Sequence, residues 1–344
     1  MTTLLAGDIG GTKTLLALYG LEVGGSLSLL RSQRYPSAAW DDLAPMVQAF
    51  LAENPQAGAG DALPAAACFA VAGPVQAGQA RLTNLPWRLE ASVLTQATGI
   101  PAVELVNDFA VLIYGLPHLG AHQQAPIRAG RPDGAEPLLV LGAGTGLGVA
   151  WGIPTGLGLK AVPSEGAHGE FAPRNATEWA LKQWLAADLG LERLSIERVV
   201  SGTGLGHVAR WLLSSRDPGG SHPLAAERRA WERGEAGADL PAAVARAAAA
   251  AEPLASEALQ LWLGAYGSVA GDLALAGLSR GGIWLAGGTA GKLLEPLRSP
   301  AFVEAFLAKG RLRPILESLP ITAVIDPAIG QYSAACRARM LLAA

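Results

Sequence analysis

The stretches LLAGDIGGTKTLLALYG at residues 4–20 and LLVLGAGTGLGVAWG at residues 138–152 share one layout: an apolar run, a glycine-rich turn carrying a threonine, and a second apolar run. The flanks are too short for buried helices and are bounded by turn residues, so each reads as a strand of about five or six residues. Two such units in one chain imply two related halves, each with its own hairpin. Glycine at a hairpin tip permits positive φ and lets backbone N–H groups face a ligand without an obstructing Cβ, which is what a phosphate cradle needs. Neither tip is a Walker loop, because Gly-x-x-x-x-Gly-Lys-Ser/Thr is absent. Neither is a dinucleotide fingerprint, because both turns lead into strands rather than helices.

A third glycine turn, in GGIWLAGGTAGKLLEPL, puts Gly287 and Gly288 at the end of a strand, with a helix beginning near Thr289. A helix start of this kind leaves room for a nucleotide flat against the backbone; plain strand-to-helix punctuation is the alternative. In VELVNDFAVLIYG, Asn107 and Asp108 follow a buried-looking strand directly. A carboxylate there is a candidate general base if a substrate hydroxyl reaches it, and an Asx-type cap on the following helix is the structural alternative. PSEGAHGEFAPRN offers Glu165, His168 and Glu170 among glycines, and IERVVSGTGL offers Glu197. Gly166 and Gly169 argue against the helix that would aim Glu165 and His168 together at a metal. Hydrogen bonds to a polyhydroxylated ligand suit these loop residues better, because carboxylates accept and imidazole donates.

Composition narrows the class. With 344 residues, 50% of them hydrophobic, the chain can fill two domains of ordinary size and bury a large core. A formal net charge of -3 without a basic patch argues against nucleic acid or a membrane surface as partner. Cys68 and Cys336 have no CxxC spacing, so reduced core thiols are expected rather than a disulfide framework or a structural zinc site. MTTLLAGDIG carries no basic leader and no apolar run reaches the length of a membrane span, which makes a cytoplasmic enzyme the expected class.

Strand and helix patterns alternate along the chain, favouring an α/β architecture. Strands are expected at residues 4–9, 14–19, 66–71, 102–106, 138–141, 147–151, 282–286 and 321–325. Helices are expected at 41–53, 90–98, 176–189, 254–278, 299–308 and 330–342. In the fourth helix Gly264, Gly267 and Gly271 would let a neighbour approach closely. Residues 216–257, with DPGGSH and AVARAAAAAE, read as a surface helical excursion without chemistry, and residues 118–136 as a loop near the passage into a second domain.

Taken in order, GDIGGT, NDF, GAGTGLGVA, EGAHGEFAP, ERVVSGTGL, LAGG and the C-terminal helix resemble the bacterial glucokinase family, the ATP-dependent hexokinase group of the actin, Hsp70 and sugar-kinase superfamily. The resemblance covers nearly the whole chain. It implies an α/β, two-lobed actin-like ATPase (ribonuclease H-like) fold with duplicated mixed-sheet domains. The small lobe would be residues 1–109 plus 326–344 and the large lobe 110–325, with the active site in the cleft between them. Gly7, Asp8, Ile9, Gly10, Gly11 and Thr12 would form the first phosphate loop, Gly142, Gly144, Thr145 and Gly146 the second, and Gly287 with Gly288 the adenosine contact. Asn107, Asp108, Glu165, His168 and Glu197 would hold D-glucose, with Asp108 as the catalytic base that takes the proton of the 6-hydroxyl while its oxygen attacks the γ-phosphate of ATP. Asp8 would hold Mg²⁺ through water. A homodimer is also implied.

Two departures from the family pattern stand out. The usual Glu-Gly-Gly-His-x-Asp-Phe run is here Glu165-Gly166-Ala167-His168-Gly169-Glu170-Phe171, so a methyl is added and a carboxylate lengthened. The Cys-rich zinc motif of the related repressor and kinase family is missing, which implies the zinc-free branch. Kinases for mannose, fructose or glucosamine, a chaperone-like ATPase and a non-catalytic sugar or nucleotide sensor are the rival readings. ADP or polyphosphate would meet glycine N–H groups much as ATP does.

Overall fold

The structure, a computed structural model, describes residues 1–53, 63–82, 85–217 and 219–343. Its contacts divide the chain into two compact units: Met1–Gly120, Ala150–Pro163 and Asp326–Ala344 form the first, and Ala121–Val149 with Ser164–Ile325 the second. No described helix is long and apolar enough to cross a membrane.

In the first unit β1 (Thr2–Ile9), β2 (Lys13–Leu21), β3 (Leu27–Pro36), β4 (Ala66–Val71) and a later strand make a five-stranded sheet. Three short strands, β5 (Val75–Gln76), β6 (Gln79–Arg81) and β7 (Arg88–Glu90), form a separate small sheet, and β8 (Val103–Asn107) completes the large one in the order β3-β2-β1-β4-β8. β1 pairs antiparallel with β2 and parallel with β4, and β4 pairs parallel with β8. All six residues of β4 are buried, as expected for a strand covered on both faces. One face packs Leu5, Ile9, Leu16, Phe69 and Val71 against the helix Leu43–Ala52, which Asp42 caps by accepting from the Leu43 amide. The helix Ala91–Thr98 ends at Gly99, whose φ of 74° supplies the left-handed cap. The helix Ile329–Met340 returns to pack against β1 and β4.

In the second unit β9 (Gln124–Arg128), β10 (Leu138–Ala143), β11 (Leu147–Thr155), β12 (Gly158–Ser164), β13 (Gly282–Ala286) and β14 (Ile321–Val324) follow along the chain. β10, β13 and β14 run parallel, and β9 closes the edge antiparallel to β14. Residues 150–163, the far part of β11 and most of β12, cluster with the first unit instead. The long helix Pro253–Ala276 begins with proline in its first turn, capped by the Glu252 carboxylate on the Leu254 and Ala255 amides. Its Gly267 and Gly271 lie where added methyls would strike the backbone of Phe302 and Phe306, so they admit the helix Pro300–Leu307. Trp262, Tyr266 and Phe302 stack edge to face there, with centroids 5.2 and 5.5 Å apart.

Two expectations need correction and one helix went unexpected. The stretch 118–136, read as a loop, contains β9; Pro126 hid the strand in the sequence but is tolerated because β9 is an edge. The SGTGL run is the start of a helix, Gly202–Arg216, capped by Ser201, whose Oγ accepts from the Gly204 amide at 2.9 Å. The segment 216–257, of which Pro218 lies outside the described residues, is packed as well as helical: Leu240, Ala243 and Val244 of the helix Leu240–Ala249 are buried. That helix stops inside the alanine run, with Ala251 at φ 59°, because Pro253 disfavours helical backbone just before it.

Candidate active site

The carboxyl ends of the parallel strands carry the chemistry of the first unit, as they do in open α/β sheets generally. β1 delivers Asp8 and then turns through Gly10, Gly11 and Thr12 into β2. The Gly10 amide donates to Lys13 O at 3.1 Å. Ser37, fully buried, clamps this turn: its Oγ donates to Gly10 O at 2.8 Å, its amide donates to Thr12 O at 3.1 Å, and Thr14 Oγ1 lies 3.0 Å from its Oγ. The turn is therefore fixed before any ligand arrives. Gly7 lies inside the strand, where its missing side chain makes room for Phe69, and Ile9 points into the core. Both are paired with strands on either side, and Ile9 O accepts from the Ala72 amide at 3.0 Å, so these two residues shape the turn rather than present groups to a ligand.

Burial raises the Asp8 carboxyl above its usual range, against the opposing pull of the Lys13 ammonium. A methyl built on Gly330 would lie 3.6 Å from Asp8 Oδ2, so the first turn of the helix Ile329–Met340 faces the same carboxylate. The positive end of that helix dipole favours negative charge at this point.

Asp108 emerges one residue beyond β8, its amide donating to Val71 O at 2.9 Å. Asn107 fixes it. The Asn107 Nδ2 group donates to Asp108 Oδ1 at 3.1 Å and to Gly73 O at 3.0 Å, while its Oδ1 accepts from the amides of Phe109 and Ala110 at 3.1 and 2.9 Å. Asn107 thus closes the turn that follows β8, while the helix Leu112–Gly115 has no side-chain cap, and Asp108 is left available for chemistry. Burial, with the nearby Asp8 charge adding to it, pushes the Asp108 carboxyl up to about 6, against the lowering effect of hydrogen bonds from Phe109, its own amide and Asn107. A carboxylate poised there can accept a proton near neutral pH.

In the second unit the turn Gly144–Gly146 is braced from several directions. The Gly202 amide, at the start of the helix Gly202–Arg216, donates to Gly144 O at 2.7 Å, and Thr203 Oγ1 donates to Thr145 O at 2.8 Å. Glu197 Oε2 accepts from the Leu147 amide at 2.9 Å. A methyl on Gly146 would strike that same carboxylate oxygen. Thr289 Oγ1 donates to Ala143 O at 2.7 Å, tying the third glycine turn to the second. Gly142 sits within β10, two residues before the turn, and Gly288 opens the helix Gly288–Lys292.

The reason for glycine at these tips differs from the expectation. Gly10, Gly11, Gly144 and Gly146 do not adopt positive φ, whereas Gly287 does, at 82°. Close approach of the Glu197 carboxylate, not left-handed geometry, is what a side chain on Gly146 would disturb.

Glu165 precedes and His168 ends the short 3-10 turn Gly166–His168, with Glu165 Oε2 3.5 Å from His168 Nε2 and both side chains exposed. Arg193 Nη2 donates to His168 O at 2.7 Å. The Ile196 amide donates to Gly169 O at 2.9 Å and Glu170 bridges Ser195, so this loop is stitched to the segment that carries Glu197. Glu170 itself is taken by Lys182 and Arg193, and the Lys182 ammonium holds its carboxyl below the usual range. Among the described residues no group of three or more His, Cys, Asp or Glu side chains is arranged to hold a metal.

The sequence reading missed Ser37, Thr203 and Thr289, whose hydroxyls fix the glycine turns. No local signal marks them, because each acts on a turn distant in the chain.

A family model described as Glucokinase matches residues 5–341. A glucokinase of Nostoc punctiforme is 41% identical over 347 residues, covering 99% of this chain and 100% of that protein. One from Synechocystis is 41% identical over 341 residues, covering 96% of each. Among solved structures, glucokinase from an Antarctic psychrotroph has a TM-score of 0.81 at 30% identity, covering 98% of this chain and 99% of that one. A ROK family glucokinase from Streptomyces griseus, in complex with glucose and AMPPNP, has a TM-score of 0.62 at 22% identity, covering 98% and 99%, a likeness of fold.

Proposed function

The chain belongs to the glucokinase family and has the actin-like ATPase fold of the sugar kinases, and from that premise we propose how its residues phosphorylate D-glucose at the 6-hydroxyl with MgATP as donor. The observation that carries the reading is Asp108: a carboxylate at the carboxyl edge of the sheet that also presents Asp8, oriented by Asn107 and pushed up to about 6.

Asp108 takes the proton of the glucose 6-hydroxyl as that oxygen forms its bond to the γ-phosphorus, and the bond from phosphorus to the bridging oxygen breaks to release ADP. The protein's work is placement and charge stabilisation. Amides of the turns around Gly10–Thr12 and Gly144–Gly146 meet the developing negative charge. Glu165, His168 and Glu197, with Asn107 and Asp108, supply acceptors and donors for the sugar hydroxyls. Gly287 and Gly288 leave room for the adenosine.

Mg²⁺ bound with the nucleotide would be held by Asp8 through water and would neutralise phosphate charge. The donor set fits it: Asp8 is one carboxylate beside the glycine turn, and a hydrated Mg²⁺ needs only one or two protein carboxylates besides phosphates and water.

The test is product detection with a panel of hexoses against ATP, ADP and polyphosphate. Glucose 6-phosphate formed from glucose and ATP supports the reading; turnover of ATP indifferent to every sugar refutes it.

A further inference from the structure

Strand register aligns three side chains of the first sheet in one row: Asp8 of β1 opposes Leu15 of β2, which opposes Arg34 of β3. Directly opposed residues project from the same face, and neighbouring strands lie about 4.8 Å apart. Arg34 therefore stands about 10 Å from Asp8, two strands away, on the face that presents the Asp8 carboxylate. Lys13, two residues before Leu15, shares that face and is the diagonal neighbour of Arg34 across β2 and β3, at about 7–8 Å. The opposite face of these strands, with Ile9 and Leu16, is core. A cavity of about 410 Å³ opens on the polar face, lined by Asp8, Gly10, Gly11, Thr12, Lys13 and Arg34 among others. That volume is of the size that small ligands occupy.

Among the described residues neither the Lys13 ammonium nor the Arg34 guanidinium is tied down by a hydrogen bond or ion pair, although Lys13 acts on the Asp8 carboxylate at longer range. Arg31, three residues earlier on the same strand and on the core-side face, is by contrast fully engaged, with Phe50 O at 2.9 Å, Gln33 at 2.7 Å and Glu53 at 3.1 Å. Lys13 feels the Asp8 carboxylate on the same wall without a hydrogen bond or ion pair to it, and Arg34, two strands away, has no carboxylate beside it among the described residues, so an anion lying between the two cations is attracted by both. A single phosphate at the glycine turn would reach Lys13 but leave Arg34 idle, whereas a chain of phosphates spans both.

We propose that Lys13 and Arg34 form a two-point clamp on the polyphosphate of the bound nucleotide, so that affinity for di- and triphosphates exceeds affinity for the monophosphate. The clamp rests on the reading that the Gly10–Thr12 turn receives nucleotide phosphates. It adds to that reading two side chains that no backbone cradle requires.

Calorimetric titration of ATP, ADP, AMP and glucose into the full chain tests it, using Lys13→Gln, Arg34→Gln and the charge-keeping Lys13→Arg and Arg34→Lys. Each glutamine variant should lose about ten- to hundredfold in ATP affinity, the size of one charge-assisted hydrogen bond. AMP and glucose should bind as in the unaltered chain, the charge-keeping variants should recover most of the loss, and ATP binding should become less sensitive to salt. ATP affinity within twofold of the unaltered chain in both glutamine variants overturns the clamp, as does an equal loss for all four ligands together with a lower Tm. Failure of the underlying reading would show differently, as absence of ATP binding to the unaltered chain.

Discussion

The Glu197 carboxylate accepts the Leu147 amide at 2.9 Å and occupies the space that a side chain on Gly146 would need. One oxygen of a residue assigned to the sugar is thus committed to the second glycine turn, and the other is left for a hydroxyl. Glu197→Ala should leave the Leu147 amide without its partner, costing about 1–3 kcal/mol of stability, and should raise KM for ATP as well as for glucose. Glu197→Gln, whose amide oxygen can still accept from Leu147, should keep Tm and KM for ATP nearly unchanged while KM for glucose rises. Thermal melts with two-substrate kinetics read both; a glutamine variant as unstable as the alanine one would count against the brace.

Gly146→Ala tests the same contact from the other side. The added methyl displaces Glu197 Oε2, the end of a flexible side chain, so the single variant should lose about 1 kcal/mol, that of the hydrogen bond to the Leu147 amide, rather than a full overpacking cost. In a Glu197→Ala background the methyl has room, and its cost should largely vanish. A double-mutant cycle measures the coupling, and additive losses would remove the contact as the reason for glycine here.

Asp108→Ala should lower kcat by about 10²–10⁴-fold, the range of a lost general base, while glucose binding persists. Near-normal turnover would exclude Asp108 as base. Asp108→Asn should be equally inactive and, because Asp108 is exposed and solvent screens its carboxylate, only slightly more heat-stable at pH 7. The sign follows from the raised pKa: the folded protein holds the Asp108 proton more tightly than the unfolded chain, so this group's contribution to stability declines as pH rises from its ordinary 3.8 through about 6. A neutral amide escapes that penalty. A lower Tm at pH 7 for the asparagine variant would contradict the strained carboxylate.

The pH profile of kcat/KM should show an acid limb governed by Asp108, with activity rising through about pH 6 to a plateau as the carboxyl loses its proton. Because the Asp8 charge contributes to the elevation, Asp8→Asn should shift the limb of the residual activity toward lower pH. A limb that stays in place would mean that burial alone sets it.

The two hairpins and their glycine tips were legible because their signals are local: a run of apolar residues, a turn composition and a second run. β4 and β13 match the expected strands residue for residue, since each is a short apolar run bounded by turn residues. β3 escaped notice because LSLLRSQRYP is largely half-buried or exposed and is defined by pairing with β2 rather than by its own pattern. The grouping of residues 150–163 with the first unit, where the sequence reading kept them in the second, follows from contacts that leave no break in composition to read.

The amino-acid order alone shows which residue types are present for chemistry: Asp8 before one glycine turn, Asp108 after a buried-looking strand, and Glu197 ahead of a Ser-Gly-Thr-Gly run. Only the tertiary structure decided how they are held. Leu147 and Glu197 are far apart in the chain, as are Ser37 and Gly10, and each pair meets through strand register and loop stitching that no local pattern encodes. The pKa of Asp108 belongs to the same class of fact, because it arises from burial and a neighbouring charge that exist only once β1, β4 and β8 lie side by side. Local sequence sets backbone preference and side-chain identity, whereas distance and desolvation are properties of the assembled sheet.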